Sequence, residues 1–513
     1  MPGIRYLQYK MKQHQTTLWA NRKCLLVCSA VAIASMQYGI DTTAIGGLQA
    51  MPGFLMVFGY KNPTSPLGYG IDQLMNSLLN LGSCISAIFA GAFGMRFGRR
   101  KGLWLACVIC LAAVSVQISS TSKAGLYAGR LLLGFANAFF VVFFTIYCSE
   151  VAPAHLREIM VGMFSFYITF GIIIGSIIDN YSKAHIDKLV YQIPLACMYI
   201  VPVLLSIALF FVPESPRWLL HHGNYEPARR SLERLRFDHG EALELEWAEM
   251  VRGVVEEQRL SRTSGFMDLF RGSDLRRTIL CWGTIASQSA SGVWFFVAYQ
   301  TYFFAIAGIT KAFEYTIMDS CLGFFSVQLG LYSMNKLFGR RTTMIAGATA
   351  CGLCELACGI ASSISPGSKA TGNVLVAFTA LFFFFFYNTG VGVATTPLST
   401  ELVSSRLRVW TVGSANALGY FLAWLTGFCS PSFINPKNLN WGPKYMYVWA
   451  GSNFLCVIWF YFFLPETKAR SLEELDEIFE AGVPARNFKQ YTCRIVEEAK
   501  QDVFGHVQIE MKI

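Results

Sequence analysis

The sequence predicts an all-α membrane protein of twelve transmembrane helices, arranged as two pseudo-symmetric six-helix bundles. Three observations carry that prediction. Of 513 residues, 54% are hydrophobic, 42 are Phe and only 14% are charged, where a soluble chain carries about a quarter charged residues. The apolar residues fall into about twelve runs of spanning length. Charged signatures also recur in the same order in both halves, at an offset of about 240 residues, as a duplicated unit requires.

The signatures begin with Arg96-Phe97-Gly98-Arg99-Arg100, which returns as Lys336-Leu337-Phe338-Gly339-Arg340-Arg341. Glu150 with Arg157 returns as Glu401 with Arg408, seven residues apart in each case. Pro213-Glu214-Ser215-Pro216-Arg217 is echoed by Pro465-Glu466-Thr467-Lys468-Ala469-Arg470.

In chain order, the apolar runs lie near 24–46, 73–95, 103–120, 125–148, 160–179 and 192–212, then 278–308, 315–337, 342–362, 373–399, 410–430 and 444–464. The expected organisation is an N-terminal segment 1–23, a bundle 24–212, a linker 213–277, a bundle 278–464 and a tail 465–513. The first 23 residues are polar and basic, and no cleavable signal peptide is read there. Within the linker, residues 241–260 place opposite charges at helical spacing and predict a solvated helix bridging the halves. The tail is expected to be soluble too.

The formal net charge is +10, but the basic residues sit in short turns between apolar runs. That is the bias of cytoplasmic loops and not a nucleic-acid surface. Turns rich in Lys and Arg alternate with turns poor in them, and both termini fall on the basic, cytoplasmic side. The opposite face carries the Asn180-Tyr181-Ser182 glycosylation triplet, expected in a short external loop. The 15 Cys are scattered through apolar runs. Cys351, Cys354 and Cys358 share a helix face, but no His or carboxylate pattern completes a metal set, so they read as small hydrophobes. No cofactor or metal is expected.

Asp41 lies well inside the first run, and Arg130 opens the fourth. An intramembrane acid is expensive and marks function by default, with Arg130 its nearest plausible partner. If alternating access changes that pairing, Asp41 takes a proton on one side and releases it on the other; the bland alternative is a static ion pair. Glu355 is a second lone acid, expected near a helix end. Glu150, Glu214, Glu401 and Glu466 end spanning runs on the basic side, with Arg96, Arg100, Arg157, Arg217, Arg341, Arg408 and Arg470 as available partners. Their duplication favours a symmetric cytoplasmic gate over simple stapling of helix ends, with Arg100 and Arg341 reaching Glu150 and Glu401. On the seventh run, Gln288, Ser289, Trp294 and Tyr299 are polar or aromatic, as groups facing a cavity would be; helix-to-helix bonding is the alternative. Gly171 and Gly175 read as a packing seam.

These motifs resemble the sugar porter family of the major facilitator superfamily over nearly the whole chain. The pieces are Arg96 to Arg100, Gly129-Arg130, Ser149-Glu150 with Pro153 and Arg157, Pro213 to Trp218, Phe338 to Arg341 and Pro465 to Lys468. The runs 298–304 and 440–444 are similar to the fungal branch that includes α-glucoside and lactose permeases. The resemblance implies proton coupling through Asp41 and Arg130, and solute contacts at Gln288, Ser289, Trp294, Ser165, Asn388 and Thr396. It also exposes departures. The gate acids expected at Met95 and Lys336 are missing, and Ser165, Ser289, Trp294, Gly390-Val391 and Thr396 replace the family's usual solute-contacting types.

The sequence therefore points to a plasma-membrane transporter of a sugar or sugar-like solute, a symporter with protons that functions as a monomer in the lipid bilayer without nucleic-acid partners. The rival substrate is a cyclic polyol acid or a fungal secondary metabolite. A non-transporting nutrient sensor is disfavoured by the short tail, and an enzyme by the lack of any nucleophile, metal or paired-acid site in the runs.

Overall fold

The computed structural model describes residues 21–58, 73–153, 156–236, 240–261, 265–404, 406–435, 438–468, 472–488 and 490–491. Six spans precede a set of linker helices and six follow it. The first six are α1 Arg22–Leu48, α2 Gln73–Phe97, α3 Arg99–Ser119, α4 Lys123–Val151, α5 Arg157–Ser182 and α6 Leu189–Phe211. The second six are α7, in two pieces Gly272–Ala290 and Val293–Ile306, then α8 Ala312–Lys336, α9 Arg340–Ile364, α10 Lys369–Glu401, α11 Arg408–Ile434 and α12 Met446–Phe463. Ten of these are long and apolar enough by composition to cross a bilayer; α7 and α8 complete the count.

Local chemistry explains the irregular spans. Pro194 and Pro202 in α6 cannot donate to the helical ladder, and the span is divided between Cys197 and Ile200. The single run expected over 278–308 is divided at Gly292, whose φ of +77° lies in the left-handed region open to glycine. In α10 the stretch Phe382–Val391 is wound as a π-helix, a form that concentrates at functional sites.

The helices touch where side chains are missing. A Cβ on Gly39 of α1 would lie 2.2 Å from the Ile168 carbonyl of α5, and one on Gly171 would lie 2.4 Å from that of Met36. Gly171 and Gly175 thus form the α1–α5 seam that their spacing predicts. Gly82 and Gly134 do the same for α2 and α4, against Leu131 and Leu79. Such close approach lets dispersion hold the bundle where lipid supplies no hydrophobic drive.

The linker folds as helices Pro216–His221, Tyr225–Leu235 and Glu241–Ser261. The last, expected to bridge the halves, packs on the other two linker helices: Val254 joins Leu220 and Ala228 in one small core. Arg236 ties the set down, donating to Glu246 (Nε, 2.8 Å) and to the Val151 carbonyl at the end of α4 (2.9 Å). The tail helix Leu472–Glu480 is docked and not free, because Leu475, Ile478, Phe479 and Phe488 are buried with Leu464 and Phe460 of the α12 end.

The contacts that join the halves include four at the end remote from the basic turns. Gln73 Nε2 donates to Ser432 Oγ (2.6 Å), and Asn76 Nδ2 to the Ala298 carbonyl (3.1 Å). The Ser176 and Ser320 hydroxyls meet at 2.9 Å, and Lys183 pairs with Glu314 at 3.0 Å. The glycosylation triplet lies here but not in a loop. Asn180 and Ser182 are in the last turn of α5, where the buried Ser182 hydroxyl donates to the Ile178 carbonyl, so that turn is already hydrogen-bonded as helix.

Candidate functional site: a buried ion pair and two duplicated basic turns

In the first bundle, Asp41 of α1 and Arg130 of α4 form an ion pair with both side chains at 0% exposure. Arg130 Nη1 donates to Asp41 Oδ1, and its Nε donates to the Met75 carbonyl of α2 at 3.1 Å. Asn137, two turns after Arg130 on the same helix face, donates its Nδ2 to Asp41 Oδ2 at 3.0 Å. Three helices are therefore tied at one point, and both carboxylate oxygens are satisfied. Desolvating two charges is offset only by such geometry, and removing either partner would strand the other. The sequence identifies the pair but not Asn137, whose signal is its spacing of seven from Arg130.

At the basic-turn end the two halves repeat one arrangement. Arg99 Nη2 and Nε donate to Glu150 at 2.7 and 3.0 Å, and Ser215 Oγ donates to the same carboxylate. In the second half Arg340 Nε donates to Glu401 at 2.9 Å, and Thr467 Oγ1 donates to it at 2.6 Å. The arginines that meet these carboxylates are thus Arg99 and Arg340, one residue before the expected Arg100 and Arg341. The cause is the other duplicated glutamate. Glu214 accepts the backbone N–H of Arg99 (3.0 Å) and Arg100 (3.2 Å), as Glu466 accepts that of Arg340 (2.9 Å). Each caps a helix N-terminus, where the macrodipole favours an anion. That fixes the start of α3 and α9 and turns the first side chain toward the α4 or α10 end. Burial pushes the Glu214 carboxyl up from its usual range, and the Ser215, Arg100 and Arg99 N–H groups oppose it.

The remaining gate candidates are distributed differently. Arg100 contributes its backbone only, Arg341 donates to the Tyr461 carbonyl (2.8 Å), and Arg96 is exposed with its guanidinium over the Phe97 ring. Arg217 lies in the short helix Pro216–His221, beside Gly253. Arg157 and Arg408 open α5 and α11, and Arg470 is outside the described residues. The Met95 carbonyl accepts from Trp218 Nε1 at 3.0 Å.

The expected solute contacts sit mainly on α7 and α10. Gln288 and Ser289 precede the break at Gly292 and Trp294 follows it; Gln288 and Trp294 are half-buried, and the buried Ser289 hydroxyl has no protein partner. Tyr299 is fully buried, and its hydroxyl donates to the Gly427 carbonyl of α11 (2.7 Å), which fits the helix-bonding reading. Asn388 lies in the π stretch with Nδ2 against Gly323 of α8, Ser165 is half-buried on α5 and Thr396 is exposed on α10. Ser176, Gln300 and Thr301 add polar groups along α5 and α7 that the sequence reading misses.

Three more acids are buried in the spans. Glu355 is at mid-depth in α9 and not near a helix end, with Asn453 donating to it at 2.8 Å. Asp179 on α5 lies against Gly47, and Asp319 on α8 accepts from Gln300 Nε2. Among the described residues no group of His, Cys, Asp and Glu is arranged to hold a metal.

Twelve spans, a broken α7 and basic turns duplicated at one end define a membrane protein of the major facilitator fold. Solved structures bear the fold out. The XylE proton:xylose symporter bound to 6-bromo-6-deoxy-D-glucose matches with TM-score 0.70 at 21% identity, over 90% of this chain and 99% of that one. The inward-open XylE from E. coli matches with TM-score 0.70 at 20% identity, over 88% and 99%. The chain belongs to the family described as "Sugar (and other) transporter", whose model matches residues 27–479. Among curated relatives, the major facilitator-type transporter ecdD of Aspergillus rugulosus is 30% identical over 96% of this chain and 94% of its own length. The low-affinity glucose transporter HXT1 of Saccharomyces cerevisiae is 29% identical over 89% and 82%.

Proposed function

We propose that the protein moves a polyhydroxylated ring solute, a sugar or sugar-like compound, together with a proton by alternating access. The observation that carries this reading is the wholly buried Asp41–Arg130 pair, which joins three helices of one bundle through the only group of that cluster able to change charge. While Arg130 faces it, Asp41 is held as the carboxylate. A shift of α1 against α4 within the first bundle, accompanying the rocking of the bundles, would lengthen the contact and make the neutral acid the cheaper buried form, so that proton uptake follows conformation. The bundles 24–212 and 278–464 are the rocking units, and the Arg99–Glu150 and Arg340–Glu401 turns form the gate on the cytoplasmic side. That orientation, with both termini inside, rests on the basic turns, and the plasma membrane is the proposed location.

Gln288 offers a donor and an acceptor and Trp294 a flat apolar face, the combination a polyol ring needs. Asn388, Ser165, Ser289 and Thr396 complete the proposed contacts. A non-sugar ring solute is the second reading, favoured by the family positions replaced at Ser165, Ser289, Trp294, Val391 and Thr396. Uptake of labelled sugars, glycosides and cyclic polyol acids in a transport-deficient fungal host, with and without an uncoupler, tests both. The coupled-sugar reading expects uncoupler-sensitive accumulation of at least one sugar. Accumulation of polyol acids alone would move the assignment to the second class.

A further inference from the structure

Glu355 is buried two-thirds of the way along α9, between α12 and the break in α7. Asn453 Nδ2 donates to its Oε2 at 2.8 Å and also reaches the carbonyls of Trp449 (3.2 Å) and Ser291 (3.4 Å). One amide thus links the acid, α12 and the last residue before the break. The other carboxyl oxygen, Oε1, has no hydrogen-bond partner and faces the break itself: a Cβ on Gly292 would lie 2.9 Å from it. The Trp449 side chain crowds the same side of Gly292, its Cγ 2.8 Å from that Cβ position, and its buried Nε1 also lacks a partner.

The titratable groups nearby are the thiols of Cys351, Cys354 and Cys358 on the same helix, and the Tyr387 phenol of α10 beside Cys351. From α7 and α12 the neighbours are Ser291, Gly292, Trp449 and Asn453, none of them charged. Among the described residues no Lys, Arg or His nitrogen comes within ion-pair distance of Glu355. Burying a carboxylate without a cation is far more costly than burying the acid, which keeps the Asn453 bond and gains a hydroxyl donor.

We infer that Glu355 is a second protonation site of the carrier, in the half opposite to Asp41, whose proton is governed by the position of the α7 break. With Gly292 seated on it, the group is the neutral acid. When α7 lifts away, Oε1 meets water and the proton passes to that water, leaving a carboxylate that must be reprotonated before the break can reseat. Glu355 is a positioning residue for α7 and touches no solute. The inference rests on the coupled-transport reading above, and the test separates the two.

Dicyclohexylcarbodiimide reacts with carboxyl groups that hold their proton in apolar surroundings. The acid proton goes to one reagent nitrogen, the carboxyl oxygen bonds to the central carbon, and rearrangement gives a stable acylurea with nothing lost. Treating the full-length protein in liposomes at neutral pH and locating adducts by mass spectrometry is expected to mark Glu355, in the wild type and in Asp41→Asn alike. Absence of an adduct on Glu355 would overturn the inference. A second measurement is the pH dependence of downhill exchange in the Asp41→Asn background, which is expected to persist and to be lost in Asp41→Asn/Glu355→Gln. An identical pH profile in the two variants would overturn it. Normal solute accumulation by Asp41→Asn would sink the coupling reading alone, since the labelling result does not depend on Asp41.

Discussion

At the basic-turn end, Arg99 with Glu150 and Ser215 in the first half matches Arg340 with Glu401 and Thr467 in the second, each beside a glutamate that caps the following helix. In the interior the halves part. Asp41 is met by Arg130 and Asn137, whereas Glu355 is met by Asn453 alone. The contrast shows which parts of the duplicated unit have stayed alike. Each turn site lies within its own bundle, between α3 and α4 or between α9 and α10, and keeps the geometry of the duplicated unit. In the interior that likeness is lost: one half holds a charged pair and the other a single acid at a helix break.

The largest expected effect comes from the charged interior. Arg130→Ala strands a buried carboxylate, at a cost of about 3–5 kcal/mol. It should abolish both exchange and accumulation and reduce the yield of folded protein extracted in detergent. Asn453→Ala, its counterpart in the second half, removes hydrogen bonds but no charge, and should cost about 1–3 kcal/mol. Thermal unfolding in detergent checks the pair. Equal losses would erase the contrast between the interiors.

The gate should respond next. Glu150→Gln and Glu401→Gln each weaken an arginine's hold and favour the inward-open form, read as faster labelling of an engineered cysteine on the cytoplasmic side. Glu150 should show the larger change: the Arg99 and Glu150 side chains are 12% and 11% exposed, against 16% and 23% for Arg340 and Glu401, and solvent weakens the second pair more. Unchanged labelling in both variants would leave these pairs as helix staples. The smallest effects belong to the hydroxyls. Ser215→Ala and Thr467→Ala each delete one bond to a gate carboxylate, worth about 1 kcal/mol, and the two should be alike in unfolding temperature. A marked difference would mean that the gate sites are less equivalent than their geometry.

The sequence makes the twelve spans, the duplication and the Asp41–Arg130 pair legible, because composition, spacing and an intramembrane charge each leave a direct trace. It is less informative where helix phase decides. Successive residues on a helix point about 100° apart, so choosing Arg100 over Arg99 depends on where α3 begins, and that is set by Glu214 more than a hundred residues away. Run boundaries drawn at charges mislead in the same way. Asp179 closes the fifth apolar run in the sequence, yet α5 continues to Ser182 and buries it. Glu355 looks like a helix-end acid until α12 supplies Asn453. The break at Gly292 leaves little trace in hydropathy, since Gln288, Ser289 and Ser291 before it are too few to interrupt one long apolar run.

The claim that Asp41 couples the proton to the solute is tested most directly by Asp41→Asn in reconstituted vesicles with an imposed proton gradient. Asparagine keeps the shape and one acceptor for Arg130 but cannot titrate. The predicted result is loss of accumulation against a gradient, with downhill exchange of the same solute retained. If the variant accumulates solute as the wild type does, and wild-type transport ignores pH and uncoupler, the buried pair is structural and the protein is a uniporter.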